Sequence, residues 1–445
     1  MTTATLQNVE RLLHTGPGGP TDPGLADHLD LHGPVVLPSH DDPAWAQALR
    51  AEVAASGLSG RGGGGFPAAA KWDSVLRSNR RPVVVVNAME GEPASAKDRA
   101  LLAWSPHLVL DGAELVAALS GARSVVVCVA DDRDDSARAV RRAVAERTRA
   151  GSPRSLSIER PPARYVTGEE SALVSWLERH DARPVLRVDK SVPLRVGRRP
   201  VLLHNAETLA QVALIARHGS AWFRQLGTAD APGSTLVTVS GGVRTPGVVE
   251  VELGTPVDQV VGRCGPTGPI SGYLLGGYGG AWLAPELGST PLAPDPLARA
   301  GATLGVGIVI ALPATSCGIA EASRIARWMA GESAGQCGPC VFGLPAIADD
   351  LERLAAGRAD AGVLARIDER SRSVAGRGAC RHPDGVARMV RSALQVFAAD
   401  AAAHAAGRPC DGRHEPSVLV FPAPAPAPAL ALAPAPAPAL TGGAS

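Results

Sequence analysis

The order of apolar and polar positions divides the chain into two kinds of run. Pro82–Asn87 (PVVVVN) and Ser124–Ala130 are short, nearly continuous in apolar residues and rich in β-branched side chains, the pattern of strands buried on both faces. Longer runs around them place apolar residues three and four apart. Pro43–Ser56 carries Trp45, Leu49 and Val53 at four-residue spacing and ends at Gly57, and Pro106–Leu119 and Asp134–Arg149 are helical by the same test. Strand, helix, strand, helix predicts an α/β domain with a parallel sheet. Further on, Thr235–Ser240 alternates as a strand, Gly241–Gly247 is a turn region, Val248–Leu253 is a second strand and Thr255–Gly262 is helical, which predicts a small β-grasp-like module. Tyr273–Gly280 is a glycine-rich loop and Ala302–Leu312 another apolar strand. From Cys317 onward Ile319–Met329, Ala346–Ala356, Gly362–Arg372 and Val386–Ala405 have helical spacing.

The expected organisation is an irregular lead-in over 1–40, an α/β domain over 41–228, the β-grasp module over 229–300, a strand plus helical domain over 301–410, and a Pro/Ala-rich disordered tail over 411–445. With only 3% aromatic residues, the cores must rest on Ala, Val and Leu. Lys+Arg 44 against Asp+Glu 43 gives a net charge of +1, which offers no electrostatic case for nucleic acid or an anionic membrane. No apolar run of about 18 residues predicts a spanning helix. No apolar core near Met1–Arg11 marks a signal peptide, so a cytoplasmic protein is expected. The seven cysteines are an odd count without the spacing of a secreted disulfide framework. Cys128, Cys264, Cys317 and Cys410 are scattered, and buried small hydrophobes are the default for them.

Five stretches carry chemistry. Gly60–Trp72 (GRGGGGFPAAAKW) packs glycines into a loop that runs into a helix start at Pro67, an arrangement able to cradle a phosphate or a flavin. A flexible linker is the plain alternative. Asn87-Ala-Met-Glu90-Gly-Glu92-Pro93, with Lys97-Asp98-Arg99, follows a buried strand, where ligands sit in open α/β sheets. A solvated acidic loop is the competing reading. Tyr165–Leu173 brings Gly168, Glu169 and Glu170 to a helix start, and His204-Asn205-Ala-Glu207-Thr208 opens another helix. Dipole-favoured acids and a simple N-cap explain these equally well. Finally, Cys337-Gly-Pro-Cys340 and the distant Cys380 suit an iron–sulfur cluster or zinc. A thioredoxin-like dithiol or unrelated core cysteines compete with that reading.

Together and in this order, over roughly residues 40–405, the motifs resemble the flavin-bearing, NADH-oxidising subunit of respiratory complex I and its relatives in NAD-linked hydrogenases and formate dehydrogenases. The family's Gly-Arg-Gly-Gly-x-Gly-Phe matches Gly60–Phe66, its Asn-x-x-Glu-x-Glu-Pro matches Asn87–Pro93, its Tyr-x-x-Gly-Glu-Glu-x-Ala-Leu matches Tyr165–Leu173, and its Asn-x-Glu-Thr-Leu matches Asn205–Leu209. The resemblance implies an α/β flavin-binding domain, a β-grasp soluble-ligand-binding (SLBB) module and a C-terminal helical-bundle iron–sulfur domain. It implies FMN held by Gly60, Arg61, Gly62, Lys71, Asn87, Glu90, Tyr165, Gly168, Glu169, Asn205 and Thr208, with His204 beside them. NADH would lie near Gly63, Gly65, Phe66, Glu92 and Glu170, with Glu92 and Glu170 as the acids of the reaction centre.

Four departures from the family pattern stand out. The first cluster cysteine is replaced by Ala334, leaving Cys337, Cys340 and Cys380 for a [3Fe–4S] cluster or an incompletely ligated [4Fe–4S] cluster. Met89 replaces an acid, and His204 replaces the first Asn of a paired Asn-Asn. Ser74 and Lys190 stand where adenine-stacking aromatics are usual, a loss of about 0.5–1.5 kcal/mol per contact. The implied role is an FMN-dependent electron-transfer subunit, taking hydride from NADH or another donor. Its partner would be a ferredoxin-like or complex I-type redox subunit, or a membrane redox partner that holds it peripherally at the inner membrane face. The alternative is a non-catalytic scaffold that kept the fold.

Overall fold

Five strands form the first sheet: β1 (Val83–Ala88), β2 (Ser124–Val129), β3 (Ser155–Glu159), β4 (Arg195–Val196) and β5 (Arg199–Asn205), in the order β3-β2-β1-β5-β4. All pairings are parallel except β4 with β5 at the edge. This computed structural model describes residues 9–13, 24–38, 42–78, 80–189 and 192–422. Lys190 and the chain beyond residue 422, including most of the expected tail, lie outside the described residues.

Val84, Val85 and Val86 of β1 are fully buried, as a strand covered on both faces requires. One face packs on the helices Pro43–Ser56, Pro106–Ser120 and Ala206–Phe223 through Leu49, Val53, Leu108 and Leu209. The other packs on the helix Glu170–Arg179 through Leu173 and Val174. A Cβ on Gly112 would stand 1.9 Å from the Leu209 carbonyl oxygen, so only glycine lets two of these helices approach this closely.

The lead-in is not wholly irregular. Leu25–His32 is a helix, and Leu12 and Leu13 are buried, with the Glu250 carboxylate accepting the Arg11 and Leu12 amides at 2.9 and 2.8 Å. Apolar periodicity is short there, and distant Glu250 supplies the order.

The second sheet contains β6 (Ser234–Gly241), β7 (Gly247–Glu252), β8 (Ile270–Leu275), β9 (Ala281–Leu283) and β10 (Ile308–Pro313), in the order β7-β6-β10-β8-β9. β10 runs parallel to β6 and antiparallel to β8, at the centre of the sheet. The boundary expected after residue 300 therefore cuts through this sheet. The apolar run from Ala302 becomes a strand only at Ile308, because Gly305 and Gly307 have φ of +54° and +72°. The expected loop Tyr273–Gly280 begins as the end of β8 and turns only at Gly276 and Gly277.

The helices Gly318–Gly331, Leu344–Ala355, Val363–Val374, His382–Val396 and Ala398–Ala405 follow. They share a core of Ile319, Leu344, Ile347, Ile367, Met389 and Val390 with β8 and β10. The single helix expected over Val386–Ala405 breaks at Phe397. The stretch 411–422, expected in the disordered tail, contains a 3-10 turn at Asp411–His414 and packs Leu419 and Phe421 on this core. Among the described residues no helix is long and apolar enough to cross a membrane.

Candidate functional site

The carboxyl ends of β1 and β5 place Asn87 and Asn205 opposite each other in register. Ligands bind at this end of a parallel sheet because the strands stop there and the following loops splay apart. Asn205 also caps the helix Ala206–Phe223, its Oδ1 accepting the Glu207 amide at 3.1 Å. Its Nδ2 donates to Asp98 Oδ2 at 2.7 Å and to the Asn87 carbonyl at 3.2 Å. Lys97 Nζ closes the network, donating to Asp98 Oδ1 at 2.7 Å and Asn205 Oδ1 at 3.1 Å, with Glu207 Oε2 also 3.1 Å away. Burial alone would lower the Lys97 pKa; the Asp98 and Glu207 carboxylates reverse that and keep the ammonium charged. The floor of the site is thus a fixed polar array.

Above it lies a cavity of about 320 Å³. Gly62, Gly63, Asn87, Glu90, Glu92, Tyr165, Gly168, Glu169 and Asn205 line it, so nine of the expected site residues meet there. Gly62 must remain small, since a Cβ would sit 3.2 Å from Asn205 Cβ, and Gly63 has φ +95°. Glu90 is held at φ +44°, where its carboxylate caps the helix Lys97–Trp104 by accepting the Asp98 amide at 2.8 Å and the Arg99 amide at 3.2 Å. Burial and the neighbouring Asp98 raise its pKa.

The wall opposite the strands comes from the rest of the chain. Gly276, Gly279, Thr303, Gly305 and Val306 belong to loops of the second sheet, and Cys380, Arg381, His382, Gly385 and Arg388 to the start of a C-terminal helix. Glu92 reaches this wall, where Oε2 accepts the Tyr278 amide at 2.9 Å and Oε1 is buried with no partner. Burial pushes its pKa up to about 8. His382 Nε2 donates to the Met329 carbonyl at 2.8 Å, leaving Nδ1 bare, buried and unpartnered. Burial pushes this imidazole down to about 4, so it stays neutral. Its ring meets Tyr165 edge-on at 5.3 Å.

Other expected residues are not brought to the cavity. Arg61 is buried, donating to Ser59 Oγ and the Ser234 carbonyl at 3.1 and 3.2 Å, while its amide bonds Thr208 Oγ1 at 2.9 Å. Arg61 and Thr208 thus join the glycine loop to the helix and to the second sheet rather than facing a ligand. His204 is buried and accepts from Trp72 Nε1 at 2.8 Å, with its pKa pushed down to about 3 by burial and by Lys71. Gly60 closes the glycine loop, donating to the Phe66 carbonyl at 2.9 Å. Gly65, at φ +61°, and the 57% exposed Phe66 lie on the outer part of that loop. Lys71 and Glu170 form an ion pair at 2.7 Å, part-exposed, away from the lining.

Lys97 and Asp98 lie in a stretch the sequence marks as chemically dense without giving them a role, and Tyr278 and His382 have no expected place at the site. The Lys-Asp-Arg run and the second glycine-rich loop were the available signals, but neither reveals that three segments close over one crevice.

The residues fit a flavin. The cavity lies at the lower end of the about 300–1,000 Å³ range of ligand pockets. Its floor has donors and acceptors for a polar heterocycle edge, and Glu92 Oε1 and His382 Nδ1 are buried atoms of lining residues without partners. Cys380 borders the same cavity. The Cys340 amide donates to the Cys337 carbonyl at 3.0 Å, and burial first, then the neighbouring Cys337 and Cys380, raise the pKa of the Cys340 thiol. Burial likewise lifts Cys380 to about 11. Of the three thiols only Cys380 lines the cavity, and Ala334 brings no fourth; it lines a separate cavity of about 740 Å³ with Arg164, Trp328 and Phe421.

Three family descriptions match in chain order: the Nuo51 FMN-binding domain over residues 53–214, the SLBB domain over 236–269, and the NADH-ubiquinone oxidoreductase-F iron-sulfur binding region over 320–404. An NADH-quinone oxidoreductase subunit of Rhizobium meliloti is 31% identical, covering 87% of this chain and 99% of its own. The mitochondrial NADH dehydrogenase [ubiquinone] flavoprotein 1 of Dictyostelium discoideum is 29% identical over 78% of this chain and 76% of its own. Among solved structures, an H2-reduced NAD+-reducing [NiFe]-hydrogenase chain superposes with a TM-score of 0.74 at 31% identity. That match covers 82% of this chain but spans only 63% of the hydrogenase chain. An FMN-type crevice at the strand ends, an SLBB module and a cysteine-bearing helical region, joined to near full-length similarity, place this chain in the family of FMN-binding, Nuo51-type subunits of NADH-quinone oxidoreductase.

Proposed function

We propose that the chain is the electron-entry subunit of a redox complex, oxidising NADH at FMN bound in the strand-end crevice. The observation that carries this reading is the crevice itself, whose closed Asn87–Asn205–Asp98–Lys97 floor faces a buried, unpartnered Glu92 oxygen. A scaffold that never bound a ligand has no physical use for that unpaired atom, since a lone buried polar group costs about 1–3 kcal/mol.

FMN would supply the capacity to accept two electrons as hydride and to release them singly. The chain supplies position and polarity. Asn87, whose Nδ2 keeps one N–H beyond its 2.9 Å bond to the Gly168 carbonyl, would bond the heterocycle edge. Asn205 and Lys97, engaged within the floor, would hold Asn87 and Asp98 in place, and the loop at Gly62 and Gly63 would let backbone approach the ring closely. Glu92, protonated below pH about 8, holds a proton at Oε1 or Oε2 beside the bound ring without introducing a buried negative charge. The outer loop with exposed Phe66, and the Lys71–Glu170 pair, would receive the dinucleotide. Cys337, Cys340 and Cys380 would hold three irons of a cluster whose remaining valence is met by sulfide or solvent. The first sheet with its helices would act as the flavin region, the second sheet, including β10, as a connecting module, and the helices from Gly318 onward as the region around the cluster. A ferredoxin-like or complex I-type subunit would receive the electrons, at the membrane surface if that partner is membrane-bound.

The test is anaerobic FMN titration of flavin-depleted protein, followed by NADH-dependent ferricyanide reduction. Tight FMN binding with NADH-dependent turnover supports the assignment. Failure to bind FMN overturns it in favour of the scaffold.

A further inference from the structure

Cys317, His404 and Cys410 are 87 and six residues apart in sequence, yet each presents one ligand atom within 4.8 Å of the other two. Cys317 and His404 are buried and Cys410 is half-buried. We propose that they bind a zinc ion, separate from the three-cysteine cluster region.

The distances suit a single ion. Tetrahedral Zn²⁺, with Zn–S about 2.3 Å and Zn–N about 2.0–2.1 Å, sets sulfur–nitrogen separations of about 3.6 Å. Here His404 Nε2 lies 3.7 Å from Cys317 Sγ and 3.4 Å from Cys410 Sγ.

The imidazole is oriented for the role. Its Nδ1 faces the Leu354 carbonyl at 3.2 Å, and only a protonated nitrogen can bond a carbonyl. Nδ1 therefore carries the hydrogen, and Nε2 turns its lone pair toward both sulfurs, the outer-shell arrangement of metal-bound histidines. Cys317 is the N-cap of the helix Gly318–Gly331, and its sulfur accepts the Ala320 amide at 3.3 Å, a contact that would remain with a metal-bound sulfur; burial raises the free thiol, so it is the ion that displaces its proton. The Cys410 amide now occupies Nε2 at 3.1 Å, a contact the ion would replace. Charge balances: Zn²⁺ displaces two thiol protons, giving two thiolates, one neutral imidazole and no net charge in an apolar setting. Three protein ligands leave the fourth position to solvent, which half-buried Cys410 admits.

The site also has a mechanical consequence. It would fasten the stretch after the last helix to the start of Gly318–Gly331. Cys317 N–H already bonds the Gly412 carbonyl at 3.3 Å. Further along, Ser417 Oγ donates to Glu321 Oε2 at 2.7 Å, and the Val420 carbonyl accepts the Tyr278 hydroxyl at 2.7 Å. Tyr278 is the residue whose amide holds Glu92.

The test is metal analysis of the full chain purified after growth with zinc, as wild type, Cys410→Ser, and the combined Cys337→Ser, Cys340→Ser, Cys380→Ser variant. The proposal expects about one zinc per chain in the wild type and the triple variant, and several-fold less in Cys410→Ser. Co²⁺ added to the metal-stripped triple variant should give the intense visible bands of tetrahedral thiolate cobalt, a readout that does not depend on any further substitution folding. Zinc-free wild type with no cobalt bands, zinc content unchanged by Cys410→Ser, or a Cys317–Cys410 disulfide in the native chain would each overturn it.

Discussion

The Tyr278 amide donates to Glu92 Oε2 at 2.9 Å across 186 residues of sequence, joining the first sheet's loop to the second sheet's turn inside the crevice. The contact leaves no spare room, because a Cβ on Gly277 would stand 2.4 Å from the same oxygen. Gly277→Ala, with φ +95° as a second obstacle, is expected to purify with markedly less FMN than the parent. An unchanged flavin-to-protein ratio would contradict this placement of Glu92.

The same burial makes Glu92 a pH-dependent liability. Between the ordinary carboxylate value of 4.5 and its folded value of about 8, the unfolded chain gives up this proton while the folded chain keeps it. Stability from this group is therefore full below pH 4.5 and lost as pH rises toward 8. Thermal unfolding of flavin-free protein should show Glu92→Gln gaining several degrees on wild type between pH 5 and pH 8.5. A pH-independent difference would mean that Glu92 is solvated.

Two neighbouring glycines should behave differently. A Cβ on Gly63 meets Val306 Cγ1 at 3.2 Å and needs φ +95°, whereas a Cβ on Gly64 meets nothing within 4 Å. Gly63→Ala is expected to weaken FMN binding about tenfold, or ~1.4 kcal/mol, and Gly64→Ala to change it by less than about twofold. Fluorescence titration decides it, and equal effects would contradict the loop geometry.

The part-exposed Lys71–Glu170 pair is worth at most about 1 kcal/mol to the fold. Lys71→Ala should leave the melting temperature nearly unchanged while raising KM for NADH several-fold with little change in kcat. A KM equal to that of wild type would remove this pair from the dinucleotide site.

Asp111 anchors the first helix and two others through His28 Nε2 at 2.7 Å and through Arg147 and Arg217. Burial pushes its pKa up, but these three partners outweigh it and hold the carboxyl below the usual range. Its contribution is present above pH 3.8 and is lost as pH falls further. Asp111→Asn should cost about 3–5 kcal/mol in urea unfolding at pH 7, because buried arginines lose their counter-charge. A cost under about 1 kcal/mol would contradict this.

The strands and helices of the first sheet were legible because Val83–Val86 and Leu49–Val53 obey simple periodicities. The motifs at Asn87, Glu90, Tyr165 and Asn205 were legible as a family resemblance. What the sequence concealed was long-range closure. Arg61 and Thr208 look like ligands in their motifs, but the Arg61 side chain is turned to Ser59 and Ser234 and its amide to Thr208, outside the cavity lining. β10 reads as the start of a new segment but completes the second sheet. His404 carries no local signal at all, because its partners Cys317 and Cys410 are gathered by helix packing rather than by spacing.

Electron entry through flavin to a thiolate-held cluster is open to direct observation. The decisive experiment is the anaerobic visible spectrum of the purified chain before and after NADH, with EPR on the same sample. The expected result is a flavin band that bleaches on adding NADH, together with an iron–sulfur signal that Cys340→Ser abolishes. A chain that is colourless and refuses added FMN would contradict it.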